Sequence, residues 1–216
     1  MAQVNIRTAR EADIPFLGWV MLTAARSHLD VSPWSVIFQE PEKRVRVLLE
    51  RIAQIPELPW SHVKNFWIAE VNGAPAAAMN GFAIENAGPA PLPEMELLVA
   101  RQVFDYSEAR ISKVRKHLAI AATGFPEDLP DAWGIENVAV LSEFRGKGLI
   151  DRLFEHVLEE GRKKGFKRAQ ILCLMGNEPG QRAFERNGFK VSSQKRSAAF
   201  NELFGTPGAR LLAQVL

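Results

Sequence analysis

Residues 135–154 read Ile-Glu-Asn-Val-Ala-Val-Leu-Ser-Glu-Phe-Arg-Gly-Lys-Gly-Leu-Ile-Asp-Arg-Leu-Phe. An apolar strand end runs into a glycine-bearing turn, and an amphipathic helix starts at once after it. The helix spacing continues to about residue 164, with Leu149, Ile150, Leu153, Phe154, Val157 and Leu158 on one face. Asp151 stands in its first turn, Arg162, Lys163 and Lys164 in its last, and Gly165 suits a left-handed cap. The first N–H groups of such a helix lack partners inside it, and the dipole places roughly half a positive charge there. Gly146 and Gly148 let a ligand approach the backbone, while Arg145 and Lys147 add charge. The combination suits a phosphate or pyrophosphate, although an isolated Gly-x-Gly is more often only a solvated turn. It is not a P-loop, because residue 141 is Leu and no Ser or Thr follows Lys147. Nor is it a dinucleotide fingerprint, since no third glycine follows Gly148 in place.

Outward from this stretch, a strand is expected over 168–175 and a helix over 179–186. Asn177 is placed to cap that helix, Pro179 sits in its first turn, and Gly188 closes it before Phe189. Strand, helix, parallel strand, helix is an α/β arrangement. Toward the N-terminus the pattern gives a strand over 4–9 and a helix over 13–27 headed by Asp13 and Pro15. Breaks follow at Pro33–Trp34 and Pro41, then a helix over 42–55. Strands over 65–71 and 74–84 flank Asn72-Gly73, the favoured two-residue hairpin turn, with Pro75 at a strand start. A loop at 86–93, helices at 94–104 and 107–122, and a loop at 124–131 form a helical insertion at about 86–131. Strands near 190–198 and 210–216 complete the chain. With no internal repeat, residues 1–216 read as one domain.

The chain has 216 residues, 47% of them hydrophobic and 24% charged, which suits a folded protein rather than a disordered one. A net charge of +2 does not mark out nucleic acid as a partner. One cysteine leaves no internal disulfide framework and points to a reducing compartment. The opening MAQVNIRTAR has no signal-peptide core, and no apolar run approaches the ~18 residues of a membrane span. A cytoplasmic address is the expectation.

Taken together, the Arg-Gly-Lys-Gly turn and the Asn177 to Gly188-Phe189 unit resemble the GNAT superfamily of acyl-CoA-dependent N-acyltransferases. Residues 135–191 carry the likeness. The opening Ile-Arg-x-Ala-x-x-x-Asp at residues 6–13 and the Ala-Glu-Val-Asn-Gly hairpin carry it more weakly. Residues 143–148 occupy the family's Q/R-x-x-G-x-G/A motif, with Glu143 preceding its first position, which Arg145 or a neighbour must fill. The resemblance implies a twisted mixed sheet of about six or seven strands flanked by helices. It also implies acetyl-CoA as co-substrate, no metal, and transfer of acetyl to a primary amine of a small molecule or peptide by direct attack. Val138, Ala139 and Val140 would lie on a strand splayed from its parallel neighbour, with the pantetheine arm filling the gap. Backbone N–H groups of Arg145, Gly146, Lys147, Gly148, Leu149 and Ile150 would hold the pyrophosphate, and Asn177 would face the pantetheine or thiol. An N–H near Val138 or Val140 would stabilise the developing oxyanion, an effect of about 3 kcal/mol.

Two positions depart from the family. Phe184 stands where many members carry a tyrosine that protonates the leaving thiolate; here it can only line the cofactor site. Ile150 replaces a residue that is often small. Tyr106 is an alternative acid if the inserted helices fold over the site, and otherwise a packing residue. Glu136 is the candidate general base, placed by strand alternation on the face of Val138 and Val140. Cys173 reads as core, and His28, His62, His117 and His156 lack metal-ligand spacing. Lys113, Arg115, Lys116 and His117 read as a solvated helix face. Trp34, Trp60 and Trp133 are candidates for an acceptor pocket. A CoA-binding sensor without turnover, and a nucleotide-binding protein using the same turn, are the competing readings. The last strand, if exposed, could pair with a second copy as a homodimer.

Overall fold

The computed structural model describes residues 3–57, 60–84 and 92–216. The N-terminal part places β1 (Val4–Thr8), α1 (Ile14–Arg26), α2 (Pro33–Phe38) and α3 (Glu42–Ile52) before the hairpin β2 (Phe66–Val71) and β3 (Ala74–Ala83). Asn72 and Gly73 both have positive φ, 52° and 82°, as the tight turn requires. Then come α4 (Leu92–Phe104), α5 (Glu108–Ala122), β4 (Trp133–Val140), α6 (Leu149–Lys163), β5 (Arg168–Leu174) and α7 (Glu178–Arg186). The chain closes with β6 (Lys190–Arg196), α8 (Ala198–Phe204) and β7 (Gly208–Val215).

All seven strands join one sheet in the order β1-β2-β3-β4-β5-β7-β6. Only β4 and β5 are parallel; every other pair is antiparallel. The mixed sheet and its flanking helices are those expected. One apolar cluster on one face gathers side chains of α1 to α5 and α8, including Leu17, Phe38, Leu48 and Phe200. The other face is covered by α6 and α7 through Leu153, Phe154, Val157 and Phe184. Phe154, fully buried, packs on Phe184 and Phe189 at ring separations of 6.0 and 5.6 Å.

Four sequence expectations need correction. Pro33 begins a helix rather than only breaking the chain, because its missing N–H is harmless in a first turn. The strand expected to 198 ends at Arg196, since the Ser197 hydroxyl accepts the Phe200 N–H and starts α8. The final strand is no free edge: β7 lies between β5 and β6, and β6 is the exposed strand. The loop expected at 86–93 lies outside the described residues as far as 91, and α4 already begins at Leu92.

An ion-pair cluster fixes the entry to α1. Arg7 donates to both oxygens of Asp13, at 2.7 and 2.9 Å, and to Glu70. Asp13 also accepts the Arg10 N–H at 2.8 Å. Burial would raise the Asp13 carboxyl, but these hydrogen bonds outweigh it and hold it below the ordinary carboxylate range. That stability is present above the unfolded value of about 4 and is lost as pH falls through the folded value. Asp13→Asn is therefore expected to lower stability by about 2 kcal/mol at neutral pH. The gap from wild type should shrink in urea titrations repeated below about pH 4.

Candidate active site

Parallel pairing of β4 with β5 lasts only from Trp133↔Ala169 to Ile135↔Ile171. Beyond it the strands part, although β4 continues to Val140 and β5 to Leu174. The cause lies on the β3 side. Between the pairs Asn80↔Glu136 and Ala78↔Ala139 the register slips, so β4 carries one residue too many there. Asn137 absorbs it with φ of 53°, a left-handed value that asparagine tolerates better than most residues. Such a bulge bends the strand it sits on.

The bulge is clamped by a fully buried side chain. Asn80 Oδ1 accepts the Glu136 N–H at 3.1 Å, and Asn80 Nδ2 donates to the Trp60 carbonyl. Asn137 Nδ2 donates to the same carbonyl at 2.9 Å. The bulge also resets the alternation. Val138 and Val140 pack with the cluster beneath α6, whereas Glu136 turns to the side where α4 lies. The expectation that Glu136 shares their face is thus corrected, because alternation does not survive an inserted residue. Leu141 N–H bonds the Ala76 carbonyl across the β3 edge, so the N–H of Val140 points the other way, into the gap.

A cavity of about 470 Å³ opens from this gap. Asn137, Val138, residues 171–174, Asn177 and Phe184 line its strand side; Ala24, Trp34, Ile37, Trp60, Leu118, Phe125 and Phe200 line the other. Trp34 and Trp60 stack at 5.8 Å and 13° between planes. Trp133 lies on the opposite face against Phe166, so only two of the three expected tryptophans reach the cavity. Asn177 caps α7 by accepting the Gly180 N–H at 3.0 Å. Cys173 is buried, and burial pushes its thiol up to about 11, which fits a packing role.

Two carboxyl groups enter this mainly apolar space. Burial pushes the Glu136 carboxyl up to about 8, with the charge of Asp128 adding to it. Glu96, on α4, is only 6% exposed; burial pushes its carboxyl to about 8 as well, with Glu136 adding. Glu96 was not among the expected site residues. Its signal was available: positions 96, 97, 100 and 104 form the buried face of α4, and Glu is the one acid among them.

At the start of α6, Gly146 and Gly148 have φ of 72° and 73°, and no side chain caps the helix. Arg145, Gly146, Lys147 and Gly148 are exposed, Leu149 is buried, and Ile150 is half-buried. Lys147 Nζ rests 4.9 Å from the centre of the Phe144 ring. Asp151, which would repel an anion at this helix start, is neutralised by Arg186 at 2.8 Å and also accepts from Asn187. Tyr106 is elsewhere. Its hydroxyl donates to the Phe38 carbonyl at 2.7 Å inside the core, and it does not line the cavity. The proton-donor role considered for it is not carried forward.

Lys113, Arg115 and Lys116 of α5 are exposed, with Arg115 paired to Glu94, whereas His117, expected among them, is half-buried with Nδ1 3.0 Å from the Val36 carbonyl. Among the described residues no group of three or more His, Cys, Asp and Glu could hold a metal, and no helix is long and apolar enough to cross a membrane.

A mixed sheet parted after a bulge, with an uncapped, glycine-flanked helix following the parted strand, is the framework of a GNAT acyltransferase. The sequence profile of the acetyltransferase (GNAT) family matches residues 29–189, and the chain belongs to that family. Acetyl-CoA is the family's acyl donor. No curated protein matches the sequence. Among solved structures, an N-acetyltransferase from Staphylococcus aureus Mu50 superposes with a TM-score of 0.68 at 16% identity, covering 97% of this chain and 100% of that one. Drosophila melanogaster polyamine N-acetyltransferase gives 0.57 at 15% identity, over 99% and 100% of the two chains. Ard1 from Thermoplasma volcanium gives 0.54 at 14% identity, over 99% and 97%. At these identities the likeness is one of fold.

Asn80→Ala would leave the Glu136 N–H without its side-chain acceptor and remove one of two donors from the Trp60 carbonyl. Loss of about 2–3 kcal/mol is expected in chemical denaturation.

Proposed function

We propose that the protein is an N-acetyltransferase that moves acetyl from acetyl-CoA to a primary amine by direct attack. The observation that carries this reading is the single cavity joining the parted strands to Glu136. Val138, Ala139 and Val140 would pair with the pantetheine arm. N–H groups from Arg145 to Ile150, freed by the two glycines, would hold the pyrophosphate. Asn177 and Phe184 would flank the thiol end. Acetyl-CoA, when bound there, supplies a thioester carbon open to attack.

Glu136 then acts on the acceptor. Its carboxylate takes the proton that the amine loses as the new C–N bond forms and the C–S bond breaks, the sulfur leaving with the electron pair. The Val140 N–H, turned into the gap, would donate to the carbonyl oxygen as negative charge grows on it. Phe184 cannot protonate the sulfur. With a thiol pKa of about 8.5, the thiolate is a tolerable leaving group and can take its proton from water. The same Phe184 favours a second reading, an acyl-CoA sensor with little turnover.

Turnover decides between them. Glu136→Gln is expected to lower kcat by about 100-fold. Wild-type kcat should rise with pH to an inflection near 8, where the Glu136 carboxyl ionises, and the variant should lack that inflection. A wild-type protein that binds CoA yet acetylates no amine would favour the sensor. Gly148→Val is expected to weaken CoA binding in calorimetry by about tenfold or more, by forcing a side chain onto a left-handed backbone. No protein atom lies within 4 Å of a Cβ added there, so the fold should persist. Unchanged affinity would refute the pyrophosphate assignment.

A further inference from the structure

Glu96 is the feature of the cavity that the transfer chemistry leaves unused. It is more than nine-tenths buried, lines the cavity, and makes no hydrogen bond or ion pair among the described residues. The charged group that acts on it is Glu136. Burial favours the protonated form of such a carboxyl, and a cation held beside it would favour its ionised form. The cavity wall offers no such partner, since neither Lys nor Arg is among its lining residues. Most of the remaining wall is apolar, with Trp34 and Trp60 stacked on each other and Ile37, Leu118, Phe125 and Phe200 also lining it; Ser27, Asn137 and Asn177 are its uncharged polar members.

We propose that the acceptor is a primary monoamine with an apolar body, an arylalkylamine or alkylamine, whose ammonium enters between Glu96 and Glu136 while its hydrocarbon lies against Trp34 and Trp60. The proposal rests on the transferase reading above and names its substrate class. Each part of the wall selects. The two carboxyls, which interact within one cavity wall, would share one cation. A free amino acid would bring a carboxylate to two acids with no basic residue to receive it. A diamine would strand its second ammonium against an apolar wall, away from any carboxylate. An alkyl chain or an aromatic ring, by contrast, exchanges water for the tryptophan and leucine surface. Glu96 binds the acceptor ammonium, which gives one proton to water as it becomes the neutral nucleophile, and Glu136 takes the second as the C–N bond forms, so the two glutamates divide binding from chemistry.

The test compares 2-phenylethylamine, hexylamine, putrescine and L-glutamate as acceptors for the full chain with acetyl-CoA. The first two should exceed the last two by about tenfold or more in kcat/KM. Glu96→Gln should raise KM for 2-phenylethylamine by about tenfold with kcat within about threefold and CoA affinity unchanged, whereas Glu136→Gln should act on kcat. The Gln is isosteric and removes a buried acid, so its melting temperature should equal or exceed that of wild type. Preference for putrescine or L-glutamate, or an unchanged KM in Glu96→Gln, would overturn the substrate class while leaving the transferase standing. If no amine is acetylated, the transferase reading fails separately, and calorimetry of 2-phenylethylamine into the CoA-saturated protein then judges the pocket. Binding weakened about tenfold by Glu96→Gln upholds it, and no binding overturns it.

Discussion

The structure turns on the clamp that Asn80 places across the β4 bulge. A strand with one residue too many cannot stay in register with both neighbours, and β4 resolves the conflict by keeping β3 and releasing β5. Sheet pairing is normally lost only at an edge, where water satisfies the freed groups. Here it is lost in the middle, between two strands that remain covered on their outer sides. The freed backbone therefore faces a cavity rather than bulk solvent. Asn80 makes this tolerable by giving the Glu136 N–H an acceptor and the Trp60 carbonyl a donor at the point of slip. A gap able to take an extended ligand arm as a surrogate strand is the direct result.

The electrostatics divide along the same cavity. At the start of α6, an uncapped helix end, Arg145 and Lys147 add positive charge, and Arg186 pairs with Asp151 in the first turn. In the cavity wall, two carboxyls stand among mainly aromatic and aliphatic side chains with no Lys or Arg beside them. The positive helix start and the acidic wall are thus separate features, one built from backbone and exposed cations and the other from buried side chains. Burial sets both carboxyls near 8, close to neutral pH, where such a group can give up and retake a proton without leaving its place.

How far this was legible in the sequence depended on whether a feature was local. The Arg-Gly-Lys-Gly turn, the Asn177 cap and the Asn72-Gly73 hairpin are written in consecutive residues, and they stand where the spacing put them. The parallel β4–β5 unit followed from helix and strand periods alone. What escaped was set by contacts between distant residues. The bulge at Asn137 arises from a register conflict with β3, more than fifty residues away in sequence, so simple alternation put Glu136 on the wrong face. The place of β7 between β5 and β6 is a choice of pairing partner, which no local pattern encodes. Glu96 was visible as an acid on an apolar helix face, but its meaning needed the cavity opposite.

The cavity wall draws on two sets of elements. Its strand side comes from β4, β5 and α7, with Asn177 at the α7 cap. The other side draws on α1, α2, α5 and α8, with Glu96 reaching in from α4, and these helices pack on one face of the sheet. A substitution at Leu118 changes the shape of that side without altering a residue of the bulge, its clamp or the glycine turn, whereas Trp34 stacks on Trp60 and so bears on the clamp. Glu136 is the one residue bound to both halves, through its N–H to Asn80 and through its carboxyl to the space beside Glu96. A displacement of its backbone by even a small fraction of a residue spacing would misplace the proton acceptor relative to the gap. The buried clamp thus does more than tolerate the slip, since it fixes the position from which any transfer chemistry must start.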